Sequence, residues 1–458
     1  MELPSSNPKQ TRLPVWLRFL DAAPAIPVIS TDPGVIQKKY SYWQNRILIG
    51  SIIGYAMYYF VRANIGTALP ALGADLHITK DKLGIFLTLH GLFYGVSKFF
   101  FGLVGDRANA RIMLAAGLIL SAAFNIFFGF SSTVTMLGVI WMLNGLPQGM
   151  GFPPCARLMT HWFSPHKLAT KMSIWNISHS AGALLTMVLC GLLAERYGWR
   201  YCFFVPGALA FAGAIFALIT LRDTPPSLGL PEVEGTVRKP AHEAGQPAME
   251  EKDFSEFVRK KVFGNPYLWL VALANFFVYA IRISILNWGT TFLGETKGIK
   301  LASASQMVAA FELSGMAGMM VSGWLTDKLF EGRGVRMSVI FMAMTGVSVL
   351  AFWKYAGHSA IISTCLLSCM GFFLYGPQAL IGTTAANLGT KRAAGTAVGL
   401  TSLFGYASTV ASGWGLGKLV QEKGWGAGFA ALVVCAVLGT IVFIIAWPAK
   451  ANGYDGND

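Results

Sequence analysis

Apolar residues in this chain gather into long runs, many of 18 residues or more, separated by short polar breaks. A helix rises about 1.5 Å per residue, so runs of this length match the hydrocarbon core of a bilayer, about 30 Å thick. The pattern predicts twelve membrane spans, six at 47–70, 84–104, 112–130, 134–158, 171–193 and 202–221, and six at 267–293, 304–326, 336–356, 359–385, 394–419 and 427–448. The fold class expected is therefore an all-α membrane protein. Its organisation would be an N-terminal segment 1–46, a six-helix half 47–221, a polar linker 222–266, a second six-helix half 267–448 and a tail 449–458. Within the linker, Asp253-Phe-Ser-Glu256 has the spacing of a capping box for a short helix through Lys261.

Composition agrees. Of 458 residues, 54% are hydrophobic and 13% charged, where a soluble domain carries about 25% charged residues. The 51 glycines suit helices that pack closely in lipid. The net charge of +14 invites a nucleic-acid reading, but its distribution argues otherwise. When loops are assigned to alternate sides, 24 of the 36 lysines and arginines fall on the side of the N-terminus and 9 on the other. That bias is the positive-inside rule and predicts cytoplasmic termini, with the lipid bilayer rather than nucleic acid as the partner of the basic surface. The polar stretch before the first span does not read as a signal peptide. The six cysteines lie in or at the ends of spans without metal-ligand spacing, so no metal and no cofactor is expected.

The other three cations, Arg62, Lys98 and Arg282, fall inside spans. An arginine at mid-membrane costs about 2.5–3.5 kcal/mol even on a lenient scale, so it calls for a partner or a function. Arg62 and Arg282 are 220 residues apart, and each sits in the first span of its half. Gly102-Leu-Val-Gly-Asp106-Arg107 and Gly323-Trp-Leu-Thr-Asp327-Lys328 recur at nearly the same offset, 221. Two features with one offset indicate an internal repeat, and two like six-span halves are the major facilitator architecture. The short loops holding Asp106, Arg107, Asp327 and Lys328 read as charged latches for one state of a rocking transporter.

Tyr55, Tyr58, Tyr59 and Arg62 share one helix face, as do Asn275, Tyr279 and Arg282. Lys98 and His179 add polar chemistry to two further spans, and Glu312 is the one acid clearly inside a span. The excess of fixed cations predicts an anionic ligand. Arginine's planar fork suits two phosphate oxygens, and histidine and a phosphate monoester both titrate near neutrality. Glu312 can pair with either arginine but cannot satisfy both.

These residues carry a family resemblance. The stretches Gly54–Asn64, Ser97–Arg111, Gln148–Arg157, Trp175-Asn-Ile-Ser-His179, Tyr375–Gly382 and Phe404-Gly-Tyr406 resemble the organophosphate:phosphate antiporter family, closest to its hexose-phosphate transporter and sensor branch. Asn287-Trp-Gly and Phe311-Glu-Leu point to that branch. The resemblance implies that Arg62 and Arg282 clasp a phosphoryl group. It places Lys98, His179, Asn176, Tyr55, Tyr59, Tyr94, Tyr279, Tyr375 and Tyr406 along the cavity, and gives Glu312 ionic contacts that rearrange during rocking. Departures from the family pattern are Ala63 where many relatives carry lysine, Phe152 in place of a tryptophan, Asn387 in place of a glutamate, and an eleventh span without charge between Thr401 and Leu416.

The expected function is exchange of a sugar phosphate, with glucose-6-phosphate the leading candidate, for inorganic phosphate by alternating access. Alternatives are a glycerol-3-phosphate antiporter, or a sugar-phosphate sensor that signals to a membrane partner. A proton-coupled sugar symporter fits less well, because such proteins generally need a membrane carboxylate beside the sugar. No nucleophile–base pair or phosphate-cradling glycine loop suggests an enzyme. The expected form is a monomer in a bacterial inner membrane.

Overall fold

The computed structural model describes residues 14–28, 32–105, 108–233, 256–356 and 359–449. Among them the regular structure is almost wholly helical, and the single extended contact is an isolated bridge between Asp21 and Ala108. The N-terminal half contains α1 (Pro33–Phe60), α2 (Asn64–Asp75), α3 (Lys80–Gly105), α4 (Ala110–Phe130), α5 (Val134–Gln148), α6 (Phe152–Trp162), α7 (Pro165–Tyr197) and α8 (Tyr201–Thr220). The C-terminal half contains α9 (Pro266–Lys297), α10 (Leu301–Phe330), α11 (Gly334–Tyr355), α12 (Ala360–Leu388), α13 (Thr390–Val410) and α14 (Leu416–Ile445).

These helices trace twelve passes. The first is broken at 61–63 between α1 and α2, and the fourth at 149–151 between α5 and α6. The last two meet inside α14, where Gly424 adopts φ 76°, a conformation that glycine tolerates without a Cβ clash. Asp253, proposed as a helix cap, lies outside the described residues, as do Asp106 and Arg107. The chain from Glu256 is helical and widens into a π-turn over Arg259–Phe263.

Caps set several helix starts. The side chains of Asp32, Asn109, Asn265 and Ser359 accept backbone N–H bonds at the starts of α1, α4, α9 and α12. Before α1, residues 14–28 pack against the N-terminal half. The 3₁₀ turn there, Val15–Leu20, buries Leu17 and Leu20 against Val104, Ala108, Met113 and Met150. Asp223, just past α8, accepts from Ala23 N (3.1 Å), Ala110 N (3.0 Å) and Arg157 Nε (3.2 Å). One buried carboxylate thus ties the N-terminal segment, the start of α4 and the middle of α6 together on the face holding that segment, here the terminal face.

The two halves meet toward the opposite, far face. There Thr290 donates to Gly66 O (2.8 Å), Thr88 Oγ1 donates to Thr409 O (3.0 Å) and accepts from Trp414 N (2.9 Å), and Lys80 pairs with Glu295 (3.0 Å). Glycines permit the approach: a Cβ on Gly66 would stand 2.5 Å from Leu286 O, and one on Gly84 2.5 Å from Gly413 O. Gly413 belongs to a π-turn, Ala411–Gly415, that interrupts the eleventh pass at this contact. Among the described residues, no hydrogen bond joins the halves on the terminal-face side of Lys98. The structure is therefore a state closed on the far face.

Candidate functional site

The helix break between α1 and α2 places Arg62 outside regular helical structure. Its guanidinium carbon lies 4.1 Å from the Tyr59 ring centre and 5.0 Å from that of Tyr94. Such stacking leaves the in-plane N–H donors of an arginine available to a ligand. Among the described residues Arg62 has no carboxylate within ion-pair distance.

Arg282 is held differently. It projects from the uninterrupted helix α9, donates from Nε to the Tyr375 hydroxyl (2.8 Å) and pairs through Nη2 with Glu312 Oε1 (3.2 Å). The Tyr375 hydroxyl also donates to Glu312 Oε1, so the three groups form a closed triangle. Glu312 is fully buried, and its second oxygen, Oε2, has no hydrogen-bond partner among the described residues. The acid that the sequence offered to either arginine thus serves Arg282.

Lys98 bridges the halves by donating to the Tyr406 hydroxyl (2.9 Å), and its ammonium lies 4.8 Å from the Phe152 ring centre. Tyr406 is edge-on to Tyr94 at 5.1 Å, and Tyr279 is 6.5 Å from Tyr406. His179 Nδ1 lies 2.9 Å from the Tyr59 hydroxyl, and its ring lies 4.9 Å from that of Tyr55. Its Nε2 is buried without a hydrogen-bond partner among the described residues, leaving one ring nitrogen for a ligand. The Arg62 guanidinium and the Lys98 ammonium lie 5.0 and 6.0 Å from the Tyr94 ring centre, and Tyr406 links that ring to Tyr279, one turn before Arg282 on α9.

The structure thus gathers Arg62, Lys98, His179, Arg282, Tyr55, Tyr59, Tyr94, Tyr279, Tyr375, Tyr406 and Glu312. Asn176 is exposed, and no described contact joins it to this cluster. Asn275 donates to Thr401 O (2.7 Å) and so fastens α9 to α13. Asp327 and Lys328 are exposed at the end of α10, where Lys328 lies 4.8 Å from the Trp324 ring centre. Trp175 was not anticipated: fully buried, it packs on Tyr55 (4.9 Å), Phe152 (5.6 Å) and His179 (5.3 Å). Its place one helical turn before His179 was the available signal. No group of three or more His, Cys, Asp or Glu suited to a metal gathers among the described residues.

The model of the Major Facilitator Superfamily matches residues 51–413. The chain belongs to that superfamily. Within it, the chain groups with the organophosphate:phosphate antiporter branch. It is 40% identical over 445 residues to a probable hexose phosphate transport protein of Chlamydia pneumoniae, covering 95% of this chain and 98% of the relative. It is 37% identical to the membrane sensor protein UhpC of Escherichia coli K12, covering 93% and 97%. It is 36% identical to the glycerol-3-phosphate transporter of Bacillus subtilis, again covering 93% and 97%. Among solved structures, a bacterial homolog of the human lysosomal transporter Spinster, captured inward-facing and unoccupied, superposes with a TM-score of 0.73. That match covers 91% of this chain and 99% of the other at 16% identity, a likeness of fold.

Proposed function

We propose that the protein exchanges a sugar phosphate for inorganic phosphate across the membrane by alternating access. The observation that carries this reading is the pair Arg62 and Arg282, contributed by opposite halves: among the described residues Glu312 is engaged by Arg282, and no carboxylate stands within ion-pair distance of Arg62. A phosphoryl group supplies the missing negative charge and accepts from both guanidiniums. The tyrosines offer hydroxyl donors and flat apolar walls for a sugar ring. The relative named for hexose phosphate transport, matched over nearly its whole length, supports a hexose phosphate over smaller esters.

In this reading the empty site leaves cations facing one another, and a bound phosphate converts that repulsion into attraction between the halves. Closure around it then permits opening on the other face. Asp106, Arg107, Asp327 and Lys328 act as terminal-face latches. The protein works as a monomer in a bacterial inner membrane, with no catalytic chemistry. Both termini lie in the cytoplasm, which makes the far-face-closed state inward-facing.

The relative named a membrane sensor favours a second reading, in which the same site binds sugar phosphate but mainly signals to a partner. Purified protein in liposomes loaded with labelled phosphate, challenged with glucose-6-phosphate, glycerol-3-phosphate or inorganic phosphate, tests both. Rapid label release, fastest with glucose-6-phosphate, supports the transporter; binding of these ligands with little release favours the sensor.

The rocking step makes its own prediction. Gly66→Val would force a side chain into the Leu286 carbonyl, 2.5 Å from the Cβ position, and hold the halves apart on the far face. Phosphate exchange is expected to fall at least tenfold while far-UV circular dichroism stays unchanged. Wild-type exchange by this variant would contradict the assigned contact.

A further inference from the structure

Arg62 and Arg282 occupy matching positions in the two halves, yet only Arg62 sits at a helix break. What holds that break is a set of buried carboxamides from other helices. Val61 ends α1; the N–H groups of Arg62 and Ala63 both turn back to Tyr59 O (3.2 and 2.8 Å), and α2 begins at Asn64. Backbone carbonyls released at a helix end need partners, and lipid supplies none. Val61 O receives two: Asn125 Nδ2 from α4 and Asn144 Nδ2 from α5, each at 3.0 Å.

The amides are fixed in turn. Asn64 donates to Asn125 Oδ1 (2.8 Å) and to Cys202 O on α8 (2.9 Å), while Asn125 also donates to Ser121 O (2.9 Å). Asn64, Asn125 and Asn144 all have zero exposure. Because Asn125 Oδ1 is engaged, its amide orientation is set and Nδ2 faces the break.

The pinned oxygen belongs to the peptide group joining Val61 to Arg62. That group is held at its oxygen by two carboxamides and at its N–H by Tyr59 O. A fixed peptide plane limits the backbone torsions at Arg62 and so aims its Cα–Cβ bond. Arg282 needs no such device, because Tyr375 and Glu312 orient its guanidinium directly.

From this geometry we infer that Asn144 and Asn125 are positioning residues for Arg62, acting through the Val61 carbonyl to set one arm of the anion site. The inference rests on the phosphate reading above but concerns a different set of residues. Asn144 is the cleaner probe, since its one described hydrogen bond is the bond to Val61.

The test uses the full chain, purified, with inorganic phosphate as the probe. Asn144→Leu is expected to raise the phosphate dissociation constant about tenfold in titration calorimetry, with little change in melting temperature. In nitrogen-15 spectra, the Arg62 Nε–H signal, assigned by its loss in Arg62→Lys, is expected to shift, and the Arg282 signal to stay in place. Should Asn144→Leu not fold, Asn144→Ala, which leaves room for a water, carries the same two measurements. Wild-type phosphate affinity, an unmoved Arg62 signal, or equal movement of both arginine signals would each overturn the inference. Wild-type phosphate affinity in Arg62→Lys would instead sink the two-arginine reading, and the arginine signals would still decide whether Asn144 positions Arg62.

Discussion

Arg62→Lys and Arg282→Lys are each expected to abolish phosphate exchange, by at least a hundredfold, in a protein that still folds. A guanidinium presents parallel donors in a rigid plane, whereas an ammonium is a compact point charge on a flexible stem. The Arg62 guanidinium stands over the Tyr59 and Tyr94 rings, and in the proposed site its in-plane donors go to phosphate. Arg282 uses Nε and Nη2 at once, on Tyr375 and Glu312. A lysine has no second nitrogen to divide between such partners. Hydrogen bonds to charged groups contribute about 1.5–3 kcal/mol each, so losing two costs a factor of a hundred or more. The measurement is phosphate self-exchange in liposomes, with size-exclusion profiles reporting the fold. Exchange within threefold of wild type by either variant would refute the two-arginine site.

Glu312→Gln is expected to separate binding from turnover. This carboxylate is the described anion beside Arg282, and it is fully buried. Removing one member of a buried pair costs about 3–5 kcal/mol, because the other charge is left uncompensated. The empty variant should therefore melt at lower temperature than wild type. Phosphate supplies the missing charge, so the rise in melting temperature on adding phosphate should exceed that of wild type. Release becomes harder for the same reason, and exchange should slow at least tenfold. A variant with wild-type melting temperature and wild-type exchange would show that the Arg282–Glu312 pair has no part in the cycle.

Much of the fold was legible because hydropathy runs and the 220-residue offset report directly on membrane passes and on their repetition. The interruptions were less so. The run from 47 to 70 reads as one continuous helix, and only the distant carboxamides of Asn125 and Asn144 make a break at Val61 tolerable. The second break, at 149–151, could have been suspected from Gly149, Gly151, Pro153 and Pro154. Cations stand out in an apolar run, so Arg62, Lys98 and Arg282 were visible as a group. Their division into one stacked arginine and one acid-paired arginine depends on which helix Glu312 faces, and periodicity along one helix does not carry that. The N-terminal segment was equally opaque, because its place is set by Asp223, some 200 residues away, accepting from Ala23 N.

Phosphate is expected to leave the site only when another phosphate-bearing ligand replaces it. Liposomes containing the wild-type protein and labelled phosphate, diluted into buffer with or without external glucose-6-phosphate, test this most directly. The account predicts fast label efflux with glucose-6-phosphate outside and at least tenfold slower efflux without it. Equal efflux in both buffers, or none in either, would contradict it.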